Sequence, residues 1–180
     1  MGFQYGVAAL GVHELNLFQN PDVNLASKNY AAADYIIQQA ETFIRPGDLI
    51  KVTPLVNFED PETPAAIGSL IPEQIGARLT QLGYNVDLSD VSAQKKILNM
   101  NDMVTGTSAT RSAPKFVLGG HYLDDRPNMN VSMRITKIST NRVVGAFDYT
   151  MPTNREIREL SAPKPQIMIM KKPGGTPPPL

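Results

Sequence analysis

Apolar residues recur at Ile67, Leu70, Ile71, Ile75, Leu79 and Leu82, in steps of three, one, four, four and three that keep one helix face apolar. Ahead of that run, Leu49–Phe58 is apolar on both faces except at Lys51, Thr53 and Asn57, the pattern of a covered strand. After it, Gly83–Leu88 reads as a second strand. Strand, helix and strand at this spacing predict two neighbouring parallel strands joined by a right-handed crossover. Two prolines interrupt the pattern. Pro54 removes a ladder donor and marks an edge, a bulge or a break. Pro72 either opens the main helix in its first turn or kinks one longer helix.

Ser27 or Asn29 is placed to cap an earlier helix running to about Ile44, with Ala33, Ile36, Ile37, Ala40 and Ile44 as its stripe and Arg45-Pro-Gly-Asp48 as its stop. Beyond the second strand, Ser89 or Ser92 can cap a short helix to about Met103, and the polar stretch 105–112 reads as a connection. The period then changes to two. Lys115–Leu123, Asn130–Ile138 and Arg142–Thr150 form an antiparallel meander, in which Val131, Met133 and Ile135 share one face and Ser132, Arg134 and Thr136 the other. The pair Gly119-Gly120 implies a bulge or a close backbone approach. Asn154 caps a final helical turn to Leu160. The expected architecture is α/β: a mixed five-stranded sheet, β-α-β-α-β plus the meander, with helices packed on it.

That domain covers residues 28–151, between an N-terminal arm, 1–27, and a Pro-rich C-terminal tail, 152–180. Both ends carry apolar residues out of keeping with free tails. Val7, Leu10, Leu15, Leu17 and Phe18 in the arm, and Ile167, Met168, Ile169 and Met170 in the tail, are candidate oligomer or partner contacts. They either pack along their own domain or dock on a neighbouring subunit, and for the tail residues disorder is the third alternative.

The charge balance is even, with 17 basic and 17 acidic residues, so no global field favours nucleic acid. There is no cysteine, which excludes disulfides, thiolate nucleophiles and thiolate metal sites. No apolar run approaches the ~18 residues of a membrane span. Residues 1–12 lack the basic start of an export signal, so the expectation is a cytoplasmic chain or one whose signal was removed.

The candidate chemistry is sparse. The histidines are His13 and His121, too few for a zinc site without thiolates. His121 with Asp124 or Asp125, and Ser132 as nucleophile, is the one conceivable hydrolytic set. Gly-Gly-His-Tyr is not a nucleophile elbow, and His121 reads as a strand residue. Glu59, Asp60 and Glu62 lie past a parallel strand, where ligands are often held, but they lack calcium-loop spacing and suit the following helix N-terminus. No catalytic, cofactor-binding or metal residue is expected, and the chain reads as a non-enzyme.

Larger pieces carry a resemblance: Asn29-Tyr-Ala-Ala-Ala-Asp34 opening a helix; Val56, Asn57 and Asp60; Gly68, Leu70, Glu73, Gln74, Arg78, Leu79, Gly83 and Tyr84; and Gly120 with Tyr122. Over residues 28–151 this order resembles the FlgO-type flagellar outer-membrane protein family, related in outline to TolB amino-terminal, CsgG and LpoB-type envelope domains. The resemblance implies a non-enzymatic envelope protein of the periplasm or outer membrane, often a lipoprotein, that belongs to the flagellar basal body and serves motility. A homo-oligomeric ring with other flagellar or envelope proteins as partners is the favoured reading, and a monomeric periplasmic module that contacts peptidoglycan or regulates a cell-wall enzyme is the alternative. The resemblance implies no cofactor.

Overall fold

Asn24 starts the first helix. Its carboxamide oxygen accepts the Ser27 amide at 2.8 Å, ahead of α1 (Leu25–Ala40). The cap lies upstream of Ser27 and Asn29, the sequence candidates; Ser27 supplies the capped N–H, and Asn29 is fully buried. A computed structural model describes residues 17–91 and 113–163 of the chain. After α1 come β1 (Leu49–Val52), β2 (Val56–Asn57), α2 (Ala66–Gln81), β3 (Asn85–Asp87), β4 (Phe116–Asp125), β5 (Asn128–Lys137), β6 (Arg142–Pro152) and α3 (Arg155–Ser161). The short helix expected between Ser92 and Met103 falls outside the described residues.

The sheet has six strands, ordered β3-β1-β4-β5-β6, with β2 pairing β4. β1 is parallel to β3 and β4, and β4, β5 and β6 form the expected antiparallel meander. The sixth strand arises because Leu49–Phe58 is two strands in line along β4, not one. Pro54 ends the ladder, and the next residue, Leu55, turns away to donate its amide to Gly68 O of α2 at 2.7 Å. Pairing with β4 resumes at Val56.

Pro72 lies inside α2 and neither opens it nor splits it. A residue there would donate to the carbonyl four positions back, which is Gly68. Proline cannot, and the Leu55 amide takes that carbonyl instead. The two prolines therefore leave one donor and one acceptor that satisfy each other. Gly68 permits this contact, since a Cβ on it would sit 2.5 Å from Leu55 O.

The core lies between one sheet face and the helices. Ile50, Val52, Phe116, Leu118, Tyr122, Met129, Val131, Met133, Ile135, Tyr149 and Met151 face Ala33, Ile36, Ile71, Ile75 and Leu79. Leu82, expected in the α2 stripe, is 42% exposed because it is the C-cap, beyond the last turn. The helices are tied by polar residues as well. Arg78 of α2 forks onto both Asp34 oxygens of α1 at 2.8 and 3.0 Å. Asn29 donates to Gln74 Oε1 and accepts from Tyr149 Oη, each at 2.7 Å, so one buried amide links α1, α2 and β6.

Asp48, 7% exposed, closes the turn after α1. It accepts from Lys115 Nζ at 2.5 Å and from the Arg45 amide at 3.0 Å, and these bonds hold its carboxyl below the ordinary aspartate value. A carboxyl more acidic folded than unfolded stabilises the fold above the unfolded pKa, and that stabilisation is lost as pH falls through the folded value. The urea midpoint should therefore hold steady down to about pH 4 and drop below it. Asp48→Asn should lower the midpoint at pH 7 and flatten part of the acid limb; an unchanged acid limb would count against this role.

Candidate functional site

Because the helices take one face, alternate residues of β4, β5 and β6 are left on the other. Cross-strand register aligns His121, Ser132 and Asp148 in one row, and Leu123, Asn130 and Thr150 in the next. These rows floor a groove of about 490 Å³, walled by Phe58 past β2 and by Phe18 and Gln19 at the β6 edge. Phe58 is 64% exposed and its ring lies 5.2 Å from that of His121. This is the candidate functional site.

His121, Ser132 and Asp148 are the residue types of a hydrolytic triad, but they are not bonded as one. Ser132 Oγ donates directly to Asp148 Oδ1 at 2.5 Å. Arg134 forks onto the same carboxylate at 2.7 and 3.2 Å and holds it below the usual aspartate range, so it is a weak base. The His121 imidazole makes no hydrogen bond among the described residues and contacts Phe58 instead. An activated serine needs the imidazole to accept its proton. The set imagined from sequence is also dispersed: Asp124 follows His121 by three along β4 and faces the other way, bonded to Ser161. Ser132, Asp148 and Arg134 are a cross-strand polar pairing on a sheet surface. The sequence search missed Asp148 because register, not spacing, brings it to Ser132.

Among the described residues, no three His, Asp or Glu side chains are grouped to hold a metal. Glu59, Asp60 and Glu62 are exposed, and Asn57 Oδ1 accepts the Glu59 amide at 3.0 Å to shape their loop.

The β6 edge beside the groove is guarded. Gln39 of α1 bonds both backbone groups of Ala146, at 2.9 and 3.2 Å, and Gln19 Nε2 donates to Thr150 O at 2.8 Å. Side-chain amides thus occupy backbone positions where another strand would add. The groove, rather than that edge, is the accessible feature.

Of the candidate contacts, Phe18 is 4% exposed and packs with its ring tilted against Tyr149 and Phe147, with ring centroids at 4.8 and 5.6 Å. Leu17 is partly buried against the same core. Val7, Leu10, Leu15, Ile167, Met168, Ile169 and Met170 lie outside the described residues. The described chain thus begins at Leu17, next to Phe18 and Gln19 at the groove rim.

A family model described as FlgO protein matches residues 30–156. Among solved structures, the chain is similar to the LpoB C-terminal domain from Salmonella enterica, with TM-score 0.44 and 14% identity, covering 68% of this chain and 94% of that one. The LpoB C-terminal domain from Escherichia coli gives TM-score 0.43 and 16% identity, covering 68% and 96%. No curated protein sequence matches.

Proposed function

The chain belongs to the FlgO protein family, and from that premise we propose that it is a structural subunit of the flagellar basal body, assembling into an outer-membrane-associated ring needed for motility. Membership supports a non-enzymatic protein associated with the cell envelope. The observation that carries the structural reading is the use of four of the motif's polar residues. Asn29, Asp34, Gln74 and Arg78 are all spent tying α1 to α2 and β6, which leaves none of them for chemistry.

Ring closure needs a heterologous contact, one surface on each copy receiving a different surface of the next. The groove and the apolar arm supply such a pair. Val7, Leu10 and Leu15 of one copy enter the groove of its neighbour, and Ile167–Met170 add a second hook. Because Phe18 belongs to the core, an arm deletion that spares the fold stops at residue 16.

Mass photometry of the full chain across a dilution series should give a discrete multi-subunit species. Removing residues 1–16 should return it to monomer with its circular dichroism unchanged. An oligomer that persists after removal of both 1–16 and 164–180 would refute the arm contact. A full-length chain that is monomeric at every concentration would favour a periplasmic module binding peptidoglycan or a cell-wall enzyme.

A further inference from the structure

At the far end of the sheet from the groove, four cations converge: Arg45 after α1, Lys115 before β4, Lys137 ending β5 and Arg142 opening β6. Their placement is fixed by contacts. Lys137 pairs with Arg142 across the hairpin. The Arg142 guanidinium lies 5.0 Å over the Phe43 ring. Lys115 O accepts the Ile138 amide at 2.9 Å, and its ammonium meets Asp48. Asp48 is the one acid in this set, and it is buried and engaged. Arg45, Lys137 and Arg142 form no ion pair among the described residues.

Large apolar side chains stand beside these charges: Phe43 at 39% exposure, Ile138 at 49% and Val143 at 50%. A hollow of about 340 Å³ opens among Phe43, Arg45, Lys115 and Lys137. The whole chain is neutral, so this is a local concentration of positive charge.

Crowded unpaired cations and protruding apolar groups are both unfavourable in water, and a single environment relieves both. A plane of phosphates meets the cations, and an acyl layer beneath takes the apolar tips. An acidic protein would need pockets matched both to Phe43 after α1 and to Ile138 and Val143 on the β5–β6 hairpin, with acids placed between them. A fluid bilayer conforms to all of them. We propose that this end of the domain docks on an anionic phospholipid bilayer. The proposal gives a surface to the membrane association proposed above and is independent of ring formation.

The test is co-sedimentation of the full chain with vesicles of phosphatidylethanolamine and phosphatidylglycerol, against vesicles of phosphatidylcholine alone, at a dilution whose oligomeric state is known. The protein should pellet with the anionic vesicles, not the neutral ones, and binding should weaken as salt rises from about 0.05 to 0.5 M. Lys137→Glu with Arg142→Glu, at an exposed turn, should reduce binding by about tenfold or more. Ile138→Ser with Val143→Ser should also reduce it. Arg155→Glu, a charge reversal of an 89% exposed side chain on α3, should leave it unchanged. Circular dichroism of each variant separates lost binding from lost fold. Equal binding to both vesicles, or full binding by a folded Lys137→Glu/Arg142→Glu variant, would overturn the proposal. So would no binding to either vesicle, a result that would turn the patch toward an acidic protein.

Discussion

Gly68→Val should lower unfolding free energy by about 3 kcal/mol. On helix propensity alone, replacing an interior glycine gains up to about 1 kcal/mol, so a position without contacts would change in the opposite direction. Contact decides the sign here. The first added carbon meets Leu55 O at 2.5 Å and the Tyr122 ring at 3.4 Å, and neither gives way cheaply, because one is backbone and the other is a buried aromatic. Pushing Leu55 back also breaks its amide bond to Gly68 O. That carbonyl has no second intrahelical donor, because residue 72 is proline. In a chain of this size the melting temperature should fall by roughly 6–12 °C. Gly76→Ala is the contrast. Its new carbon meets the flexible end of Leu88, which can swing aside, so it should cost much less. If both variants melt alike, the Leu55 crossing is not the constraint.

Asn29→Ala should cost about 2–4 kcal/mol and leave two polar groups without partners, Gln74 Oε1 and the Tyr149 hydroxyl. Tyr149 is deeply buried, and burial pushes its phenol well above the ordinary tyrosine value, so it stays a neutral donor that needs its acceptor. Tyr149→Phe removes one bond and should cost less, about 1–2 kcal/mol. The discriminating measurement is the double-mutant cycle in urea. With the hydroxyl already gone, truncating Asn29 no longer orphans it, so the double variant should cost less than the sum. Strict additivity would mean that the amide and the phenol act separately.

These two sites also mark where sequence reading ends. The helix at 66–81, the parallel pair around it and the meander's inward and outward faces were legible, because burial on one side imposes a period of 3.6 or 2 on the chain. Both prolines were visible as irregularities. That Pro54 frees the donor for the carbonyl Pro72 leaves vacant was not, because the residues meet only when β1 and β2 lie beside α2. Asn29, Asp34, Gln74 and Arg78 were visible as motif positions. Their work as ties between elements needed the parallel packing of α1 on α2. His121 and Ser132 are legible as chemistry-bearing residues, while nothing in the sequence marks Phe58 as the wall of a groove.

What the sequence determined by itself was therefore local: where most helices and strands lie to within a few residues, which face of each is buried, and which family order they follow. It did not show that Leu49–Phe58 breaks into two strands or that the first helix stops at Ala40 rather than near Ile44. The tertiary structure decided the register. The turn pairs Lys137 with Arg142 and Thr136 with Val143, which, continued, would set Ser132 against Phe147. An irregularity at Val144 inserts one residue, so Ile135 meets Gly145 and Ser132 meets Asp148. The shift is held by packing. Val144 is buried, and α1 lies so close that a Cβ on Gly145 would stand 2.7 Å from Ile36 O. One residue of slip turns every side chain of a strand over. Here it sends Phe147, Tyr149 and Met151 to the helices and Asp148 and Thr150 to the groove, a choice made by the free energy of the packed core rather than by any signal within the strand itself.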